Sequence, residues 1–170
     1  MSETNWLEIE SKNHIKVIND TKINKQDEKI AIRVERSLLR KIKAISMGSI
    51  SYAVCSLADY ALNDVIKNKK HLVLKREKTG NVSYQLRDYV NSDTNHISIT
   101  CERSDISTDL TRTTIWAYEN FIQRIKANTN SYYTIAVIGL VKYGIDLLDS
   151  KNKTLMITKK EKQYEIMWYE

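Results

Sequence analysis

The chain has 170 residues, 42% of them hydrophobic and 28% charged, with no proline and a formal charge of +6. That apolar content is enough to bury a core, and it excludes a disordered, charge-dominated composition. No apolar run approaches the length of a membrane span, and residues 1–10 lack a basic start followed by an apolar segment, so the expectation is a cytoplasmic protein with no membrane contact.

Taken in order, a strand is expected at 14–18, followed by a polar connection over 19–28. Residues 29–34 alternate, with Ile30, Ile32 and Val34 on one side and Lys29, Ala31 and Arg33 on the other, the pattern of a half-buried strand. From Arg36 the period changes. Leu38, Leu39, Ile42 and Ile45 form a helical stripe, and Arg36, Arg40, Lys41 and Lys43 supply a solvated basic face. Residues 47–50 read as a turn, with Gly48 ending the first helix and Ser51 capping the next, which buries Ala53, Val54, Leu57, Ala58, Ala61, Leu62 and Val65 and ends at 67–69. A hairpin follows from 72–74 and 82–86 around Thr79, Gly80 and Asn81. The second half is expected to run as a strand at 97–101, a strand at 113–117, a helix at 119–127, a turn at 128–133, a helix at 134–148 and a last hairpin from 155–157 and 164–168.

The two halves resemble each other. At a constant spacing of 83 residues, Ile32 matches Ile115, Ile42 matches Ile125, Ala53 matches Ala136, Leu57 matches Leu140 and Tyr60 matches Tyr143, with no gap. The flanks repeat more weakly. His71 to Arg76 lie 83 residues before Thr154 to Lys159, and Asn13, His14 and Ile15 match Asn95, His96 and Ile97 at 82. The expected organisation is two repeats, 1–87 and 88–170, in one compact pseudo-symmetric unit. Charge is unequally divided between them: 17 Lys/Arg against 10 Asp/Glu in the first, 10 against 11 in the second.

A short strand with one apolar face needs a partner, because its edges expose unpaired backbone groups. Antiparallel pairing of 29–34 with 112–117 would turn both apolar rows to one helical layer and leave Lys29, Ala31, Arg33, Arg112, Thr114 and Trp116 on the opposite face. The longer helices would then cross near the pseudo-twofold axis, with Ala53, Ala58, Ala61, Ala136, Gly139 and Gly144 permitting close approach.

In its order of strand, helix, turn and helix, 29–67 resembles the ribbon-helix-helix family of DNA-binding proteins, and 112–148 resembles a second, degenerate copy. The resemblance implies an α+β fold of tandem ribbon-helix-helix units forming an intramolecular pseudo-dimer, with additional β-hairpins. It also implies that the outward strand residues Lys29, Ala31, Arg33, Arg112, Thr114 and Trp116 touch base edges in the major groove of duplex DNA. The starts of the second helices, Ser49, Ser51 and Tyr52 in one half and Tyr132, Tyr133 and Thr134 in the other, would meet phosphate. Trp116 is large for a base-reading position, and Ser131 stands where the first half has Gly48.

The function so implied is sequence-selective DNA binding, as a transcriptional repressor or a plasmid or conjugation accessory factor. A monomer would suffice, with higher assembly on DNA and a further protein of a regulatory or DNA-processing complex as possible partners. Two other classes fit the charge and aromatics: a protein-interaction module on the same scaffold, and RNA or single-stranded DNA binding.

Catalysis has no support in the pattern. His14, His71 and His96 are isolated, and no metal-ligand ladder, phosphate-binding glycine loop or nucleophile motif occurs, so no cofactor, metal or enzymatic activity is expected. Cys55 and Cys101 read as ordinary reduced thiols.

Overall fold

The computed structural model describes residues 15–18, 28–46, 50–88, 98–103, 110–117, 120–130, 132–158 and 163–168. In chain order these form β1 (Ile15–Ile18), β2 (Glu28–Val34), α1 (Arg36–Ser46), α2 (Ile50–Lys67), β3 (Lys70–Arg76), β4 (Val82–Asp88), β5 (Ile99–Arg103), β6 (Thr111–Ala117), α3 (Phe121–Ala127), α4 (Tyr133–Lys151), β7 (Lys153–Thr158) and β8 (Gln163–Trp168). The fold class is α+β, with the strands in three small sheets of order β1-β7-β8, β2-β6 and β4-β3-β5.

Strands β2 and β6 form a two-stranded antiparallel ribbon. Its inner face buries Ile30, Ile32, Val34, Ile115 and Ala117, of which Ile32, Val34, Ile115 and Ala117 are at most 2% exposed. Each large aliphatic side chain so placed contributes roughly 1.5–3 kcal/mol relative to leaving it in water, which is what holds so short a ribbon to the helices beneath it. Ala31 lies opposite Thr114, its own repeat equivalent, so the pairing is symmetric about that residue pair.

Below the ribbon, α2 and α4 pack against each other; α2 also meets β6, and α4 meets β2. Ala53, Ala58, Ala61 and Ala136 are fully buried. A Cβ at Gly144 would stand 2.8 Å from the carbonyl oxygen of Leu57, so this glycine permits a close approach of the two helix backbones. Gly139 departs from the expectation. A Cβ there would run into the Leu74 side chain, so its packing reason is β3, not the facing helix.

Polar contacts join elements from the two halves. Asp59 on α2 accepts from Arg124 on α3 at 2.6 Å, and Tyr143 on α4 donates to Asp64 on α2 at 2.6 Å, with Lys151 3.2 Å from the same carboxylate. Lys142 on α4 lies 3.0 Å from Glu35 and donates to the carbonyl oxygen of Val82 at 2.9 Å and to Asn81, holding the β3–β4 turn down onto α4. The hairpin forms around Gly80, whose φ of +87° is open to glycine and strained for other residues.

The outer strands exchange between the halves. β1 runs parallel to β7, and β5 runs parallel to β3, so the leading strand of each repeat joins the hairpin of the other. Ile15 lies beside Leu155 and Ile99 beside Leu72, which makes Ile99 the counterpart of Ile15, 84 residues on, in place of Ile97 at 82. Two residues are one pleat, so the shift leaves the inward side unchanged and the alternating pattern alone does not detect it.

Several boundaries move. Strand β5 starts at Ile99, with Ser98 in a bend before it, and residue 97 of the expected strand lies outside the described residues. Helix α3 starts at Phe121, because Asn120 has φ 71°, a left-handed conformation that cannot continue a helix toward residue 119. Helix α4 starts at Tyr133 and runs on to Lys151. Ser51 is not the cap of α2: the helix begins at Ile50, which puts Ser51 inside its first turn. The expected turn residues Gly48 and Ser131 and the histidines His14 and His96 lie outside the described residues. No helix among the described residues is long and apolar enough to cross a membrane.

Candidate nucleic-acid interface

The register of the ribbon pairs Lys29 with Trp116, Ala31 with Thr114 and Arg33 with Arg112. These six side chains share the face turned away from the helices; Ala31 is half-buried between larger neighbours and the other five are exposed. Trp116 is 42% exposed, and the Lys29 ammonium lies 5.7 Å from the centre of its ring. A cation over an indole face is held by the ring quadrupole, so the pair presents a flat, positively charged patch at one end of the ribbon. The other end carries Arg33 beside Arg112. Like charges directly opposite on a sheet repel, so this pair weakens the ribbon in the absence of an anion.

The backbone behind Trp116 is held from two sides. Its N–H donates to the Ser51 hydroxyl at 3.0 Å, and the Cys55 thiol donates to its carbonyl oxygen at 3.9 Å. The start of α2 is thus fastened to the ribbon at the flank where Trp116 projects. No disulfide joins Cys55 to Cys101; both are buried, and burial pushes the Cys101 thiol pKa upward, with the Thr129 hydroxyl pulling the other way. His71 is 2.7 Å from the Thr100 hydroxyl, a contact across β3 and β5.

Of the residues expected to meet phosphate, Ser51 and Tyr52 lie half-buried in the first turn of α2, and Tyr133 and Thr134 lie half-buried in that of α4. Tyr132 is 47% exposed at the N-cap of α4 with φ 54°, and Lys126 sits 4.8 Å over the ring of Tyr133. Ser49 lies outside the described residues. The positive ends of both long helices therefore flank the ribbon, one beside Trp116 and the other beside Arg33, and each end offers its dipole to an anion.

Two residues at this surface escaped the sequence reading. Arg76 of β3 donates to the Arg33 carbonyl oxygen at 2.6 Å, and Arg103 of β5 is the register partner of Arg76 and lies 5.8 Å over the ring of Tyr132. Both come from outside the strand-helix-helix stretches: Arg76 meets the ribbon through its bond to Arg33, and the parallel pairing of β3 with β5 sets Arg103 beside it. A sequence signal for them would have required knowing that pairing.

No group of three or more His, Cys, Asp or Glu among the described residues is placed to hold a metal ion. In the comparisons with known proteins, no family model, no curated protein and no solved structure matches the chain.

Proposed function

We propose that the chain binds duplex DNA sequence-selectively, laying the β2–β6 ribbon in the major groove as a tandem ribbon-helix-helix unit that is complete within one polypeptide. The observation that carries this reading is the ribbon register, which sets Lys29, Ala31, Arg33, Arg112, Thr114 and Trp116 on one outward face over a buried aliphatic row. A two-stranded ribbon fits the major groove; arginine can donate two hydrogen bonds to guanine, and threonine can bond a base edge or meet a thymine methyl. Because Arg33 and Trp116 occupy equivalent positions in the two strands, the two halves would read different bases and the target would be asymmetric. The role consistent with this is a repressor or a plasmid or conjugation accessory factor, bound as a monomer or side by side with further copies.

The test is selection from randomised duplex DNA at moderate salt, comparing the native chain with Arg33→Ala/Arg112→Ala after both are shown to be folded. A short enriched site, lost in the double variant, is the expected result. No enrichment by the folded native protein would overturn base-selective reading.

The exposed Lys29–Trp116 patch supports a second reading, a protein-interaction module on the same scaffold. Capture of a partner that survives loss of Arg33 and Arg112 would favour it over DNA recognition.

A further inference from the structure

A cavity of about 360 Å³ opens beside one end of the ribbon, lined by Ala31, Arg33, Arg76, Arg103, Tyr132 and Thr134. Three guanidinium groups from three different strands border it, together with the N-terminal turn of the 19-residue helix α4. Arg76 is only 5% exposed. One terminal nitrogen donates to the Arg33 carbonyl oxygen, while its buried Nε has no hydrogen-bond partner among the described residues. A guanidinium buried this way at the wall of a cavity is costly, and an anion in that cavity would offset the cost by its charge.

The surrounding charges sharpen the point. Burial lowers the Arg76 pKa; the Glu35 carboxylate offsets this in part, and Arg103 and Arg33 lower it further. Glu35 is itself held by Lys142 at 3.0 Å. No ion pair among the described residues engages Arg33, Arg76 or Arg103. On the opposite flank the repeat equivalents differ. Trp116 stands in place of Arg33, and Ser51, the counterpart of Thr134, has its hydroxyl occupied by the Trp116 N–H. The feature therefore belongs to one side of the ribbon.

We propose that this cavity is a one-sided seat for a phosphoryl group, gripped by Arg33, Arg76 and Arg103 at the positive end of α4. Guanidinium forks match phosphate oxygens in geometry as well as charge. The volume falls within the range of small-ligand sites, and exposed Tyr132 offers a ring at the rim. The phosphoryl group comes either from a free phosphate ester or from a DNA strand crossing the ribbon's edge. Since Ala31 and Arg33 belong both to the cavity and to the DNA-facing surface, a free ester would compete with DNA; that competition, unlike the seat itself, rests on the DNA-binding reading.

The first arm of the test omits DNA. Inorganic pyrophosphate is titrated calorimetrically into the full chain at ionic strength held constant with chloride. The expected result is saturable one-to-one binding, weakened about tenfold or more by Arg103→Gln and unchanged by Lys67→Gln, in keeping with the strength of charge-assisted hydrogen bonds. Arg103 is exposed, so its substitution tests the seat without the folding risk of Arg76→Gln. The second arm measures duplex affinity with and without pyrophosphate. Pyrophosphate that binds and displaces DNA identifies a free phosphoryl anion as an occupant; no pyrophosphate binding together with a tenfold loss of DNA affinity in Arg103→Gln identifies the DNA phosphate. A folded Arg103→Gln variant with native affinity in both arms, or a response that never saturates and is shared by the variant, overturns the seat. Failure to bind any duplex overturns the DNA reading; saturable pyrophosphate binding then still supports the seat, and absence of pyrophosphate binding as well overturns it.

Discussion

Arg33 and Arg112 are direct cross-strand partners on the ribbon, and both side chains are exposed. Opposed like charges cost a two-stranded sheet roughly 0.2–1 kcal/mol, so the pair is better explained by an anion that meets it than by stability. Arg112→Ala should therefore raise the urea midpoint of the DNA-free protein by an amount corresponding to a few tenths of a kcal/mol, within that range. The same substitution should weaken a selected duplex by about 1–3 kcal/mol if Arg112 reads a base, and it should flatten the dependence of affinity on salt. Fluorescence anisotropy across a salt series gives both numbers. A variant both less stable and equally tight on DNA would sink this account.

Gly144 gives the second prediction. In an isolated helix its replacement by alanine would gain about 1 kcal/mol of helix propensity. Here the new Cβ would stand 2.8 Å from the Leu57 carbonyl oxygen on α2, and a helix carbonyl cannot rotate aside. Overpacking of this kind costs about 1–3 kcal/mol, so Gly144→Ala should destabilise on balance. Gly139→Ala would press its Cβ against both Cδ atoms and the Cγ of Leu74, which is fully buried and has no open space to turn into, so it should destabilise as well. Thermal midpoints of both variants below the native value check this.

Much of the ribbon was readable because period-two alternation at 29–34 and 113–117 is a local property and the 83-residue repeat supplied each strand with a partner. Core helices were readable for the same reason, through stripes such as Leu38, Leu39, Ile42 and Ile45. The parallel partners of β1 and β5 were not, since alternation says which side of a strand is buried and nothing about which distant strand lies beside it. Arg76 and Arg103 were missed through that gap. Ser51 was misread because a serine just ahead of an apolar run resembles a cap, whereas here its hydroxyl serves the ribbon by accepting the Trp116 N–H.

Asp59 sets a pH dependence. It lies buried on α2 beside Arg124, and loss of hydration raises its pKa to about 6 from 3.8, with the Arg124 charge and hydrogen bond acting in the opposite direction. The folded state then holds this proton more tightly than the unfolded chain. Its contribution is most favourable below the unfolded value and declines as pH rises from about 4 to about 6, by an amount on the order of 3 kcal/mol at most. Asp59→Asn cannot ionise and should lack this decline. Carbon-detected NMR titration of the Asp59 carboxyl should give a midpoint near 6, and a midpoint near 3.8 would show that Arg124 offsets the burial in full.

Trp116 allows the interface to be watched directly. Its backbone is fastened by Ser51 and Cys55, while its ring points outward under Lys29, so removing the ring should leave the fold in place. Trp116→Ala should change stability by no more than about 1 kcal/mol, the scale of an exposed cation–ring contact. The chain has three tryptophans, so Trp6→Phe/Trp168→Phe isolates the signal of Trp116. Acrylamide, a neutral quencher that does not compete with an anionic ligand, should quench this fluorescence readily in the unbound protein, because the ring is 42% exposed. Addition of a selected duplex should then protect it. Bound duplex with unaltered quenching would place Trp116 outside the DNA contact, leave base reading to the Arg33 and Arg112 end of the ribbon, and reserve the Lys29–Trp116 patch for a protein partner.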